Sequence, residues 1–119
     1  MKEQVISIFR ILSYQKTVEF YIDWLGFTID WEHRFGEDSP IYMQISKEFI
    51  ILHLSEHLSD CTPGGKVFIE YPGIAEFHRW LSEKSYNNNK PCLERAPWEP
   101  LTMELIDPFG NKLLFSKRD

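Results

Sequence analysis

Trp98–Ser116, WEPLTMELIDPFGNKLLFS, reads as a strand, a tight turn and a second strand, and the rest of the chain can be arranged around it. Leu101, Met103 and Leu105 fall on one face of an extended segment, with Thr102, Glu104 and Ile106 on the other, the period of a half-buried strand. The cluster Asp107-Pro108-Phe109-Gly110-Asn111 then breaks it. Pro108 pre-sets φ for a turn, and Gly110 or Asn111 can take positive φ, so Leu113–Phe115 can return antiparallel. Trp98 stands at the mouth of that hairpin.

Working back from it, the chain spells one order twice. Val5–Leu12 is a β-branched and aromatic run that predicts a buried strand. Gln15–Leu25 predicts a helix, with Val18, Tyr21, Ile22 and Leu25 at helical spacing, Ser13 as cap and Gly26 as its left-handed end. Phe27–Phe35 alternates in strand period, placing Phe27, Ile29, Trp31, His33 and Phe35 on one side and Thr28, Asp30, Glu32 and Arg34 on the other. Ile41–Ser46 and Phe49–Glu56 form a hairpin closed by Lys47 and Glu48. After a Ser, Thr, Pro and Gly loop at Leu58–Gly65, the order resumes with a strand at Lys66–Tyr71 and a helix at Pro72–Lys84, whose inner face is Ile74, Phe77 and Leu81. A weaker strand at Leu93–Trp98 and the opening hairpin complete the second series. Each half reads βαβββ, which predicts an α+β fold from two modules, about residues 1–58 and 65–119, within a single domain.

Composition bounds the function. The chain has 119 residues, 15% of them aromatic, more rings than a core of this size needs, so some are free to line a cleft or an interface. A net charge of −5 without a Lys/Arg run argues against nucleic acid and anionic membranes and tolerates a cationic ligand or partner. The N-terminus lacks the apolar core of a signal peptide, and no run approaches the roughly 20 apolar residues that span a bilayer, so a cytoplasmic protein is expected. Cys61 and Cys92 sit in turn-like surroundings without metal spacing and read as free thiols.

Catalytic signatures are sparse. His53, Glu56 and His57 spell H-x-x-E-H, but that zinc chemistry needs a helix, and FIILHLSEH alternates as a strand. Neither G-x-S-x-G nor a glycine-rich phosphate loop is present. Glu32 reads as a solvated face charge, and His78, beside Phe77, as a structural edge residue.

The run Phe20–Phe27, FYIDWLGF, the strand ending Leu52–His57, LHLSEH, and Pro97-Trp98 followed nine residues later by Asp107-Pro-Phe-Gly-Asn resemble the vicinal oxygen chelate superfamily of glyoxalases, bleomycin resistance proteins and extradiol dioxygenases. Within it the chain is most similar to the bleomycin resistance proteins. The resemblance implies two βαβββ modules forming a curved sheet around a crevice, in a homodimer whose crevices both subunits build. Metal-dependent members place His and Glu ligands at positions matched here by Ile6, Leu52, Lys66 and Leu114, side chains without a lone pair to offer. A shift of one residue brings in His53 for Leu52, still a single ligand. No metal and no cofactor are therefore expected.

By the same resemblance Asp30, Trp31, Phe68 and Trp98 correspond to acidic and aromatic crevice residues, with Phe35 a looser correspondent. Two departures stand out: the first strand lacks the family's common Pro, near Ser7, and Glu99 replaces the Gly that commonly follows Pro-Trp. The expected function is metal-independent sequestration of a bleomycin-type cationic aromatic antibiotic by a cytoplasmic homodimer, a binding role and not an enzymatic one. The alternative is a metal-dependent lyase, isomerase or thiol transferase of the same fold.

Overall fold

The computed structural model describes residues 3–84, 86, 89–95 and 101–117. Along the chain run β1 (Ser7–Arg10), α1 (Tyr14–Thr17, continuing as a π-helix over Val18–Trp24), β2 (Thr28–Arg34), β3 (Ile41–Lys47), β4 (Ile50–Ser55), β5 (Lys66–Glu70), α2 (Ile74–Glu83), β6 (Leu101–Ile106) and β7 (Lys112–Lys117). The strands form two sheets, β1-β4-β3-β2 and β5-β7-β6. In each, the first strand lies parallel to the last, and the last is antiparallel to the one before it. The first half of this α+β arrangement has the full βαβββ order read from the sequence, and the second has β5, α2, β6 and β7. The strand expected at Leu93–Trp98 is reduced among the described residues to one bridge, Glu94 to Thr102, on the edge of β6. The end of that expected strand, with the rest of residues 96–100, lies outside the described residues.

The first helix is built as its caps predict. Ser13 Oγ accepts from the Lys16 backbone N–H at 3.2 Å, and the Thr17 hydroxyl returns a hydrogen bond to Ser13 O at 2.7 Å. Beyond Thr17 the helix widens to π geometry and ends at Gly26, whose φ of +88° a side-chain-bearing residue rarely adopts. A Cβ at Gly26 would also come within 2.8 Å of the Trp80 ring, so both backbone and packing call for glycine. Phe20, Tyr21, Trp24 and Leu25 of this helix are buried with Phe9, Ile11, Met43, Ile45, Leu52 and Leu54 of the first sheet. Ile74, Phe77 and Leu81 of α2 join Met103, Leu105, Leu113 and Phe115 of the second sheet in the same core. Each fully buried side chain of this size contributes about 1.5–3 kcal/mol.

Polar bonds join the two halves. The Trp24 indole N–H donates to Leu81 O at 3.4 Å, and Lys84 Nζ donates to the carbonyls of Asp23 and Trp24 at 2.6 and 2.7 Å, satisfying the end of the first helix. The turn between β6 and β7 makes the larger clasp. Asp107, 4% exposed, accepts four hydrogen bonds: from the backbone N–H groups of Phe109 and Asn111 on Oδ1, and from Tyr21 Oη and Asn111 Nδ2 on Oδ2, at 2.7–2.9 Å. Asn111 in turn donates to Arg10 O at 2.8 Å and accepts from Gly65 N at 3.1 Å. The Asp-Pro-Phe-Gly-Asn cluster therefore ties the first strand, the first helix and the loop between the halves to one hairpin.

Candidate functional site

Strand alternation in the first sheet sends Phe9 and Ile11, Ile41, Met43 and Ile45, and Leu52 and Leu54 to the core. Ile8, Tyr42, Gln44, Ser46 and His53 are left on the opposite, open face. Cross-strand register then builds rows over this face. Ile8 pairs with His53, His53 with Gln44, and Gln44 with Trp31. The next row runs from Arg10 through Ser55 and Tyr42 to His33.

The second strand departs from the alternation expected of it. Ile29 pairs with Ile45 and Trp31 with Gln44, so Asp30 is the extra residue of a β-bulge. The phase reverses there. Ile29 packs against the core while Trp31 joins Asp30 on the open face, so the expected sharing of one side by Ile29 and Trp31 is corrected. Beyond the bulge Glu32 lies opposite Met43 and accepts from the Tyr14 hydroxyl, a partnered group and not only a solvated charge.

The open face carries a directed polar chain. Ser46 Oγ donates to Asp30 Oδ1 at 2.9 Å and Gln44 Nε2 to Asp30 Oδ2 at 3.0 Å. With its amide nitrogen so committed, Gln44 presents Oε1 to His53 Nε2 at 3.0 Å, which requires a proton on Nε2. His53 Nδ1 is then the acceptor for the Tyr42 hydroxyl at 2.7 Å. Burial lowers the His53 pKa, favouring the neutral ring this chain requires, and burial followed by the charges of Asp60 and Cys61 raises that of the Tyr42 phenol. Trp31, 43% exposed, stacks on Tyr42 with centroids 6.0 Å apart and an interplanar angle of 13°, and meets the edge of His53 at 5.4 Å. An oriented carboxylate thus lies beside a part-exposed aromatic platform.

Of the residues predicted for the site, Asp30 and Trp31 meet here. Phe35 lies past the end of β2, 82% exposed, against the His33 ring at 4.8 Å. Phe68 is half exposed on β5 of the other sheet, opposite Leu114. Trp98 lies outside the described residues. Tyr42, Gln44, Ser46 and His53 were not among those expected, although the period of Ile41–Ser46 puts Tyr42, Gln44 and Ser46 on one polar face, a signal available in the sequence.

A metal fits this face poorly. Leu52 is in the core, and the neighbouring His53 holds the open-face place beside Ile8. Both His53 ring nitrogens are already engaged, Lys66 pairs with Glu104 at 3.0 Å, and Leu114 is aliphatic. Among the described residues no three His, Cys, Asp or Glu side chains are grouped to hold an ion. His78 Nε2 lies 2.9 Å from Pro91 O, an edge contact in keeping with a structural role.

A second depression, of about 590 Å³, lies between the β3–β4 turn and α2, lined in part by Phe49, Tyr71, Phe77 and Trp80. Lys47 Nζ stands 5.0 Å from the Phe77 centroid and 5.2 Å from that of Trp80, so this aromatic wall already holds a cation of the chain itself. Among the described residues, no cation of the chain stands over the Trp31 ring of the first-sheet face.

Among solved structures, the chain is similar to a bleomycin-binding protein complexed with bleomycin, at 21% identity and a TM-score of 0.74, covering 99% of this chain and 100% of that one. It is similar to the bleomycin resistance determinant of transposon Tn5, at 19% identity and a TM-score of 0.74, covering 99% of each chain. The bleomycin-binding protein of Streptomyces verticillus, complexed with copper(II)-bleomycin, is 22% identical with a TM-score of 0.67 over 100% of each chain. At these identities the likeness is one of fold. No curated protein matches the chain in sequence. No helix among the described residues is long and apolar enough to cross a membrane. The family model described as glyoxalase superfamily protein matches residues 1–119, and the chain belongs to that superfamily, with the fold of its bleomycin-binding proteins.

Proposed function

We propose that this chain is a cytoplasmic, homodimeric, metal-independent binding protein that sequesters a bleomycin-type cationic aromatic antibiotic in a crevice built on the open face of the first sheet. One arrangement carries the reading: the Trp31 ring stacked on Tyr42 beside an Asp30 carboxylate already oriented by Gln44 and Ser46. A planar heteroaromatic group laid on Trp31 gains about 0.5–1.5 kcal/mol beyond burial, and a cation over the same ring a similar amount. Asp30 adds charge attraction without having to be reoriented. Phe68, Phe35 and Trp98 complete the walls in this reading, with a second copy bringing its own second sheet against the first. The full chain acts as one domain of two modules, and sequestration needs affinity and no reaction step.

The test is calorimetric titration of metal-free bleomycin into the purified protein, with Trp31→Ala and Trp98→Ala alongside. Saturable binding at one or two sites per dimer, weakened by both substitutions, supports the proposal. Absence of heat with the unsubstituted protein at high micromolar ligand removes the bleomycin assignment and leaves the fold in place.

A further inference from the structure

Arg10 closes β1 on the open face, two residues beyond Ile8, while Phe9 and Ile11 on either side of it enter the core. Only 6% of Arg10 is exposed, and its Nε is wholly buried without a hydrogen-bond partner. Its carbonyl is used, accepting from Asn111. Its guanidinium has neither a hydrogen bond nor an ion pair among the described residues. Burial of a cationic side chain without a hydrogen-bonded partner carries a desolvation cost that a paired anion would offset.

The surrounding groups do not neutralise it. Ser55, its partner in the ladder, donates to Asp60 Oδ2 at 2.6 Å and accepts from the His57 backbone N–H at 3.0 Å. The Asp60 carboxylate is thereby drawn to Ser55 and forms no ion pair with the guanidinium. Cys61 lies within the fields of both Arg10 and Asp60, and the Tyr42 phenol within those of Asp60 and Cys61. The unpaired charge is therefore one row along from His53 and Trp31, at the end of the same face.

We infer that Arg10 anchors an oxyanion subsite, taking a phosphate, sulfate or carboxylate group of a ligand laid along the first-sheet crevice. The inference rests on the reading of that face as a crevice. A guanidinium presents a planar fork of donors that matches two oxygens of such a group at once. Asp60 on the rim opposes a highly charged anion, so free phosphate should bind weakly, and a zwitterionic ligand joining a cation near Asp30 to an anion near Arg10 fits better than either ion alone.

Inorganic phosphate is the probe, titrated into the full chain without bleomycin while chloride holds the ionic strength constant. Arginine Nε–H resonances and melting temperature are followed together. Expected are a saturable shift of one Nε–H resonance and a melting temperature several degrees higher. Arg10→Met should abolish both responses and melt above the unsubstituted protein in anion-free buffer, because an unpaired buried cation is gone; Arg10→Lys should keep part of the response. An equal response in Arg10→Met, or none beyond chloride in the unsubstituted protein, overturns the subsite. So does an Arg10→Met that loses its oligomeric state while phosphate does nothing, since the charge then pairs with a second copy. If Arg10→Met fails to fold, the unsubstituted protein and Arg10→Lys decide. Phosphate binding without bleomycin binding leaves the subsite standing, and the reverse removes only the subsite.

Discussion

Asp107 and Asp30 each end a chain of hydrogen bonds, and the two are used in opposite ways. Asp107 is buried in the β6–β7 turn, and its oxygens are filled by four donors from Tyr21, Asn111 and the turn backbone. Burial raises its pKa, with those hydrogen bonds opposing the shift. Asp30 is exposed on a bulge and accepts from Gln44 and Ser46, which orient it and leave acceptor capacity toward solvent beside Trp31. A carboxylate with every lone pair taken holds a fold together. One that is oriented but unfilled is what the ligand role proposed for Asp30 requires.

The comparison is broken most directly at Asp107. Asp107→Ala leaves the Tyr21 hydroxyl and the Asn111 amide without their buried acceptor, and an orphaned buried donor costs about 1–3 kcal/mol. A loss of about 3 kcal/mol or more in urea unfolding is expected, with ligand affinity of the remaining folded protein unchanged. Trp31→Ala should do the reverse. Its ring is 43% exposed, so stability should move little, while bleomycin affinity falls about 30-fold, or roughly 2 kcal/mol from lost stacking and burial. A Trp31→Ala protein that binds normally would remove the platform from the site.

The pH dependence sharpens the contrast. Burial holds the His53 pKa below its ordinary value of 6.5. The unfolded chain therefore takes up the proton first as pH falls. The stability due to neutral His53 is complete above pH 6.5 and declines as pH drops through it toward the folded-state value. His53→Asn should flatten that part of the urea-midpoint profile. An unchanged profile would show that the ring titrates alike in both states.

Much of this was legible beforehand because its causes are local. Ser13, Gly26 and the Asp107–Asn111 turn are signalled by residue type, and the hairpin follows from them. The bulge was not legible: Phe27, Ile29 and Trp31 satisfy a regular strand as well as a bulged one, and only pairing with Ile45 and Gln44 decides which face Trp31 joins. The place of His53 was hidden for a related reason. Ile51, Leu52 and His53 follow one another in β4, and the ladder with Ile8 fixes which of them leaves the core. Asp30 could be named as a site residue from its type and its resemblance, whereas its support by Gln44 and Ser46 required the register.

The finest distinction between the two aspartates is tested at Gln44, which links Asp30 to His53. In Gln44→Ala both neighbours stay on an open face where water can replace the lost bonds, so unfolding stability should shift by less than about 0.5 kcal/mol. Asp30 would keep only Ser46 as an orienting donor, and His53 would lose the acceptor that fixes its tautomer. Bleomycin affinity should fall about threefold, the equivalent of roughly 0.6 kcal/mol, mainly through faster dissociation. A stability loss as large as that of Asp107→Ala would mean that the open-face chain is also part of the fold's support, and the division between filled and prepared carboxylates would fail. Unchanged affinity with unchanged stability would place ligand contact on Trp31 without Asp30.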